Sequence, residues 1–153
     1  MKAVIQRVAS ASVFIDGVIV GKCAQGLMVL LGIAADDTEE DARIMTQKLI
    51  KLRIFCDEQG KMNRSVADIG GEMLVVSNFT LLADTSHGNR PSFIGAGDPT
   101  RAEELYKYVL SELHKTGIPV QSGRFGADMR VSIENDGPVT ILLDTAQWIK
   151  KTC

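Results

Sequence analysis

Apolar residues recur along this chain with two different periods, and each period predicts a different kind of element. After Gly26, residues 27–33 are apolar apart from Gly32, which is typical of a strand buried on both faces. Residues 129–133 alternate apolar and polar, and residues 139–143 are almost continuously apolar. Residues 2–8 and 12–15 predict two short strands, and Asp16-Gly17 predicts a hairpin turn into residues 18–20. The chain is therefore expected to be rich in strands.

Two segments show helical spacing instead. The first begins at residues 36–38, where Thr38 and Asp41 form a capping-box pattern. Its buried stripe is expected to comprise Ala42, Met45, Leu49 and Leu52. The second begins at Asp98-Pro99 and ends before Gly117. Its stripe is expected to comprise Ala102, Leu105, Val109 and Leu113.

Two main helices among about six to eight short strands predict an α/β fold. We expect a mixed, mostly antiparallel sheet or barrel that the helices cover. Residues 53–56 are predicted as a strand, and residues 74–83 as another. The length of 153 residues fits one domain over residues 1–153, with residues 146–153 as a short C-terminal tail.

Composition narrows the classes of function. Net charge is -2, so a nucleic-acid partner would need a local basic patch. Three cysteines without Cys-x-x-Cys spacing, and no signal-peptide pattern, favour reduced thiols and a cytoplasmic location. No apolar run reaches 18 residues, so no membrane span is expected. Two histidines without metal-ligand spacing give no reason to expect a metal or another cofactor.

Polar residues interrupt the predicted strand over residues 74–83. Ser77, Asn78 and Thr80 lie within a run that otherwise looks buried. Buried polar side chains need partners, so the cluster indicates either a hydrogen-bond network or a functional site. The alternative is that these side chains bond to neighbouring backbone groups.

A second unusual stretch is Asn135-Asp136-Gly137-Pro138-Val139-Thr140, between two predicted strands. Pro138 has no N–H for a strand ladder, so the backbone must depart from regular pairing there. The nearly bare Gly137-Pro138 dipeptide either presents backbone to a ligand or forms an ordinary loop. Arg7, among apolar residues of the first strand, either extends to the surface or pairs with an acceptor.

The chain resembles the D-aminoacyl-tRNA deacylases over nearly its whole length. The matching stretches include residues 1–8, 52–55, 60–63, 90–93 and 123–129. Two further stretches correspond to the signature motifs Ser-Gln-x-Thr and Gly-Pro-x-Thr of that family. Asn78 replaces the usual Gln of the first motif, keeping the amide but losing one methylene of reach.

The resemblance implies a homodimer that hydrolyses the ester of D-aminoacyl-tRNA at its 3′-terminal aminoacyl-adenosine. A cis Gly137–Pro138 unit would enter the partner's site, capture the α-amino group and leave no room for an L side chain. Glycyl-tRNA would then escape exclusion. By the same resemblance, the catalytic residues are Ser77, Asn78, Phe79 and Thr80. Those for substrate binding and chiral selection are Gly137, Pro138, Arg7, Phe125 and Met129, and Arg7 would help to hold the Gly-Pro unit of the partner subunit.

The residues themselves give little support to a serine–histidine mechanism. No Gly-x-Ser-x-Gly is present, and neither histidine has a catalytic context. Backbone N–H groups at a bent strand, with water as nucleophile, are the expected alternative. The resemblance implies that the N–H groups of Asn78 and Phe79 lie near the substrate carbonyl. A competing hypothesis is a non-catalytic nucleic-acid-binding dimer using Arg90, Arg101, Lys107, Lys150 and Lys151. A second competing hypothesis is a purely structural dimer.

Overall fold

The structure is a computed structural model that describes residues 1–149. These residues form two α-helices, eight β-strands and two short 3₁₀ turns. In chain order the regular elements are β1 (Lys2–Ile15), β2 (Val18–Cys23), β3 (Gly26–Gly32), α1 (Glu39–Lys51), β4 (Phe55–Cys56), β5 (Met62–Arg64), β6 (Glu72–Ser77), α2 (Pro99–His114), β7 (Val120–Ser122) and β8 (Arg130–Asp144).

Strand β1 organises the main sheet. Along one edge it pairs antiparallel first with β3, through residues 2–8, and then with β2, through residues 11–15; along the other edge it pairs antiparallel with β8. The prediction of two short strands at residues 2–8 and 12–15 was therefore wrong. The polar break near Ser10 marks the change of partner from β3 to β2, while pairing with β8 continues across it.

The sheet is mixed and nearly closes into a barrel. Strands β3 and β6 are parallel, and so are β6 and β7, whereas the pairings of β1 and the β4–β5 pair are antiparallel. Strand β2 approaches β7, where the Lys22 N–H donates to Gln121 Oε1 at 2.9 Å. At the same seam, a Cβ on Gly21 would lie 2.5 Å from the Ser122 carbonyl oxygen. The predicted fold class is confirmed in this form.

The two helices pack on the sheet through the stripes that the sequence predicts. Every predicted stripe residue is buried except Leu52, which is half-buried at the end of α1. Tyr106 also enters the core, and its hydroxyl donates to the Val75 carbonyl oxygen at 2.8 Å. At the start of α1, the Thr38 N–H donates to Asp41 Oδ2 at 2.9 Å, which confirms the predicted cap.

Two predicted strands have different limits in the structure. The strand expected over residues 74–83 ends at Ser77, and a 3₁₀ turn occupies Phe79–Leu82. Of residues 53–56, only Phe55–Cys56 form a strand, which pairs with a strand at Met62–Arg64 that was not predicted. Short polar strands such as Met62–Arg64 carry too weak an alternation to be recognised from sequence.

The predicted break around Gly137-Pro138 is a local one within a single strand. Strand β8 runs through it, but the pairing with β1 steps from Thr140–Gln6 to Asn135–Val8. Residues 136–139 therefore have no ladder partner in β1, and Arg7 alone lies opposite them. The missing Pro138 N–H is accommodated because this segment makes no ladder bonds.

The segment after β8 is tied to the start of the chain. The Met1 ammonium donates to Thr145 Oγ1 at 2.8 Å and forms an ion pair with Asp37 at 2.6 Å. Part of the predicted tail, residues 150–153, lies outside the described residues, and Lys150 and Lys151 with it. Across residues 1–149, no helix is both long and apolar enough to cross a membrane.

Candidate functional site

A pocket of about 670 Å³ opens where the parallel strands β3 and β6 end. The carboxyl ends of parallel strands are a common position for ligand sites, and this volume suits a small molecule or one residue of a larger substrate. The polar side chains on its wall are Ser77, Asn78 and Asp128. Its apolar lining includes Leu30, Leu31, Ile33, Val76, Phe79, Phe93, Ala102, Phe125, Met129 and Val131.

Asn78 shapes the polar end of this pocket. It is extended (φ -147°, ψ 91°) and caps the 3₁₀ turn that follows β6. Its Oδ1 accepts hydrogen bonds from the Thr80 N–H, at 3.2 Å, and from the Thr80 hydroxyl. A short amide is well suited to this role, because Asn is among the preferred N-cap residues. The side chain of Asn78 is thus engaged with neighbouring backbone, which is the alternative that the polar cluster left open.

The two backbone N–H groups at this turn differ in availability. The Asn78 N–H donates to the Leu31 carbonyl oxygen at 2.8 Å and so continues the bonding between β6 and β3. The Phe79 N–H, at the first position of the turn, has no acceptor within residues 1–149. Of the two donors that we expected near a bound carbonyl, only that of Phe79 is available in this structure.

Aromatic side chains form one side of the pocket. The rings of Phe79 and Phe93 meet edge to face, with 5.1 Å between their centroids. Phe125 packs against Tyr106 at 5.8 Å on the side of α2. Phe79 remains 59% exposed, which is unusual for so large an apolar residue and leaves its ring accessible from outside the chain.

A second cluster lies around Arg7 and includes none of the pocket's lining residues. The Arg7 Nε donates to the Asp136 carbonyl oxygen at 3.1 Å and lies 3.0 Å from the Asp136 carboxylate. Nη1 donates to the Ile54 carbonyl oxygen at 2.8 Å. Arg7 is therefore paired rather than extended to the surface. It holds the Gly-Pro segment of its own chain, whereas we expected it to hold that of a partner.

Gly137 and Pro138 protrude from this cluster. Both are exposed, and the bond between them is cis. A Cβ added to Gly137 would meet only Asn135 Oδ1 at 3.5 Å and Val139 N at 4.0 Å. By contrast, a Cβ on Gly26 would lie 1.8 Å from the Glu72 carbonyl oxygen. The chain's own packing thus requires glycine at position 26 but not at position 137.

Five of the nine predicted site residues line the pocket, and the other four do not. The five that line the pocket are Ser77, Asn78, Phe79, Phe125 and Met129. Arg7, Gly137 and Pro138 form the second cluster. Thr80 lies behind the Asn78 amide and does not line the pocket.

Sequence reasoning did not single out Phe93 and Asp128, which line the pocket, or Asp136, the partner of Arg7. Phe93 carried one signal, as an aromatic residue in an otherwise polar, glycine-rich loop. His87 makes a 2.8 Å contact with Ser86, but both are exposed and neither lines the pocket.

The fold and the pocket define a small barrel-like α/β protein whose site offers a backbone donor at an apolar wall. The model of a family described as "D-Tyr-tRNA(Tyr) deacylase" matches residues 4–144, and the chain belongs to that family. A D-aminoacyl-tRNA deacylase of Ruegeria pomeroyi is 56% identical over 94% of this chain and 99% of its own length. A protein of the same name from Deinococcus radiodurans is 54% identical over the same shares.

Two solved structures share the fold of this chain. A protein named "c-Myc DNA Unwinding Element Binding Protein" superimposes with a TM-score of 0.89 at 45% identity, over 94% of this chain and 98% of that one. A probable eukaryotic D-amino acid tRNA deacylase, at 17% identity and a TM-score of 0.77, shares the fold over 93% of this chain and 97% of its own. The family expected from the sequence is confirmed.

Proposed function

We propose that this protein hydrolyses the ester bond of D-aminoacyl-tRNA, releasing the D-amino acid and tRNA. The family and the names of its relatives support a deacylase. The observation that carries the proposal is the Phe79 N–H, a donor without an acceptor in residues 1–149, at the wall of an apolar pocket. Such a donor can stabilise the negative charge that develops on a carbonyl oxygen when an ester is attacked.

In the proposed reaction, water adds to the ester carbon and the bond to the ribose oxygen breaks. The proton lost by water ends on that ribose oxygen, and the neighbouring 2′-hydroxyl of the terminal adenosine assists its transfer. One backbone donor of this kind contributes about 2.7–4 kcal/mol to the transition state. The lining of the pocket, drawn from the described part of the chain, includes no histidine, so it offers no serine–histidine pair.

Chiral selection is assigned to Gly137 and Pro138 of a second copy of the chain, in a homodimer. Three features support insertion into a partner's pocket: the unit is exposed, it does not line its own pocket, and Gly137 is not required by its own chain. Backbone carbonyls at this unit would bind the α-ammonium group and leave no room for an L side chain. Glycine has no side chain to exclude, so glycyl-tRNA is an expected second substrate.

The Phe79 donor can be tested with two variants at the same position. Phe79→Pro removes both the N–H and the ring, while Phe79→Ala removes the ring alone. Proline is well tolerated at the first position of a helical turn, so the variant should fold. We expect Phe79→Pro to lose a further 10²–10³ in kcat beyond Phe79→Ala on D-Tyr-tRNA. Equal activities of the two variants would show that this N–H does not act on the oxyanion.

Assembly of the site from two chains can be tested by mixing. Phe79→Pro lacks the donor, and a variant with both Gly137 and Pro138 replaced by alanine lacks the selector. Each alone is expected to be defective, whereas a mixed dimer would contain one site with both parts. Recovery of activity on mixing is the expected result. A chain that sediments as a monomer and retains full activity at nanomolar concentration would contradict the dimer.

The alternative function is that of a non-catalytic nucleic-acid-binding dimer. The 45% identical structure is the observation in its support, because that protein is named for binding a DNA unwinding element. Two of the cations expected to serve it are already neutralised on α2. Arg101 pairs with Glu104 at 3.1 Å, and Lys107 pairs with Glu103 at 2.9 Å. Release of free amino acid from D-aminoacyl-tRNA separates the two functions, because a binding protein would protect the ester or leave it unchanged.

A further inference from the structure

The exposed face of α1 and the residues after it form a groove rich in positive charge. Its volume is about 430 Å³, and its lining comprises Arg43, Ile44, Gln47, Lys48, Lys51, Leu52 and Arg53. Four basic residues and no acidic residue occur between Asp41 and Asp57. In a chain of net charge -2, this is a strong local departure from the average.

The cations of this groove differ from those of α2. On α2, each of Arg101, Lys107 and Lys115 pairs with a glutamate one helical turn away. In the groove, only Arg43 has such a partner, Glu40. Within residues 1–149, Lys48, Lys51 and Arg53 form no ion pair.

One of these three cations, Arg53, interacts weakly with an acidic residue, Asp68. Arg53 makes a minor contribution to lowering the pKa of Asp68, which results mainly from hydrogen bonds donated by Ser65. The Lys48 ammonium lies over the Trp148 ring, 4.7 Å from its centre, and this ring is 37% exposed. Solvated cations beside an accessible aromatic ring are a combination that suits nucleic acid.

The position of the groove relates it to the proposed site. Arg53, at the end of the groove, directly precedes Ile54, whose carbonyl oxygen accepts the Arg7 Nη1 bond at 2.8 Å. Arg7 in turn holds Asp136, the residue before Gly137. The groove therefore ends one residue before the contact through which Arg7 is held, and Arg7 holds the Gly-Pro unit, where the proposed substrate's 3′ end is selected.

We propose that this groove binds the phosphate backbone of the tRNA whose 3′ end enters the site. The inference rests on the proposed function for the identity of its ligand. Lysine and arginine side chains on phosphates supply affinity that is independent of sequence and falls with salt. That property suits an enzyme that must accept tRNAs of different sequence.

The test compares two triple variants that remove the same charge. Lys48→Gln/Lys51→Gln/Arg53→Gln removes the cations without ion pairs, and Arg101→Gln/Lys107→Gln/Lys115→Gln removes the paired ones. KM for D-Tyr-tRNA and Kd for uncharged tRNA are measured against salt. For the α1 variant we expect both constants to rise at least about tenfold near 0.1 M salt. The slope of log Kd against the logarithm of the salt concentration should be lower by about two to three. The α2 variant should match the wild type.

A short substrate separates this inference from the proposed function. D-tyrosyl-adenosine has no phosphate backbone, so the α1 variant should hydrolyse it as fast as the wild type does. If the wild type hydrolyses neither substrate, the proposed function fails, and the Kd for uncharged tRNA still tests the groove. Unchanged KM and Kd in the α1 variant, or equal losses in both variants, would overturn the groove as the docking site.

Discussion

The Arg7 guanidinium holds Asp136 by two contacts, 3.1 Å to its carbonyl oxygen and 3.0 Å to its carboxylate. Arg7 is 12% exposed and lies opposite the four residues of β8 that lack ladder partners. Its side chain therefore supplies bonds that the interrupted ladder cannot. The Gly-Pro unit is held in place by a residue from the first strand of the chain.

Replacing Arg7 should loosen this unit. We expect Arg7→Ala to reduce stability by about 1–3 kcal/mol, because the carbonyl oxygens of Ile54 and Asp136 lose hydrogen bonds donated by a charged group. The value of kcat/KM for D-Tyr-tRNA should fall by at least about tenfold, or 1.4 kcal/mol. Urea unfolding and steady-state deacylation measure the two effects.

Asp136→Asn provides the control for Arg7. It keeps the carbonyl acceptor and removes only a carboxylate that is 51% exposed, a contribution of about 0–1 kcal/mol after screening by solvent. A small loss is expected from this variant. If Arg7→Ala were as mild as Asp136→Asn, the guanidinium would not be what positions Gly137.

Gly137→Ala should separate folding from activity. Its new Cβ meets no atom of its own chain closer than 3.5 Å, so stability should change by less than about 0.5 kcal/mol. If Gly137 approaches the substrate, the methyl group should lower kcat/KM for D-Tyr-tRNA by at least about tenfold. Thermal unfolding and deacylation are measured on the same sample. Full activity would mean that nothing approaches Gly137 closely.

Asn78→Gln tests whether the departure from the family motif weakens the enzyme. The Asn78 N–H is engaged with Leu31, and the Phe79 N–H does not depend on the length of the amide side chain. We expect kcat/KM to change by less than about tenfold. A hundredfold gain would show that the missing methylene had removed a catalytic donor.

Thr80→Ala is a companion to the Asn78 variant. It removes a hydroxyl that donates to the Asn78 amide and does not line the pocket. Substantial activity should remain, as measured by deacylation of D-Tyr-tRNA. A covalent acyl group on Thr80, detected by mass spectrometry, would contradict this assignment.

Ionisation of Tyr106 should make the stability of the fold depend on pH in the alkaline range. Burial raises the pKa of Tyr106 to about 12, against about 10 for an unfolded chain. Because the folded state holds the phenol proton more tightly than the unfolded chain does, the neutral phenol stabilises the fold. This stabilisation is fully present below pH 10 and is lost as pH rises through 12. The two-unit difference corresponds to about 2.7 kcal/mol.

Tyr106→Phe isolates that effect. At pH 7 the variant should be less stable than the wild type by about 1 kcal/mol, because it loses the hydrogen bond to Val75. Towards pH 12 the order should reverse, since phenylalanine does not ionise. Urea unfolding at a series of pH values checks this, and parallel curves would contradict a buried neutral phenol.

The helices and the central strand could be predicted because their signals are local. Capping residues and regular stripes defined α1 and α2, and an apolar run bounded by glycine defined β3. The extent of β1 could not be predicted, because its continuity depends on changing from β3 to β2 as its partner. The local pattern of apolar and polar residues does not specify which distant segments pair.

The sequence motifs predicted which residues belong to the candidate site, but not how those residues are arranged or bonded. The resemblance identified Asn78 and Phe79, yet their N–H groups could be distinguished only once Leu31 was seen to accept the bond from Asn78. The contact between Asp136 and Arg7 could not be predicted, because the two residues are 129 positions apart in the sequence. Such long-range contacts require the fold.

Selective hydrolysis of the D-aminoacyl ester is tested by the rate of amino acid release from D-Tyr-tRNA and L-Tyr-tRNA under identical single-turnover conditions. We expect fast release of D-tyrosine by the wild type, with L-Tyr-tRNA hydrolysed no faster than in buffer alone. Glycyl-tRNA should also be hydrolysed. Equal release from the D and L substrates, or none from either, would contradict the proposed function.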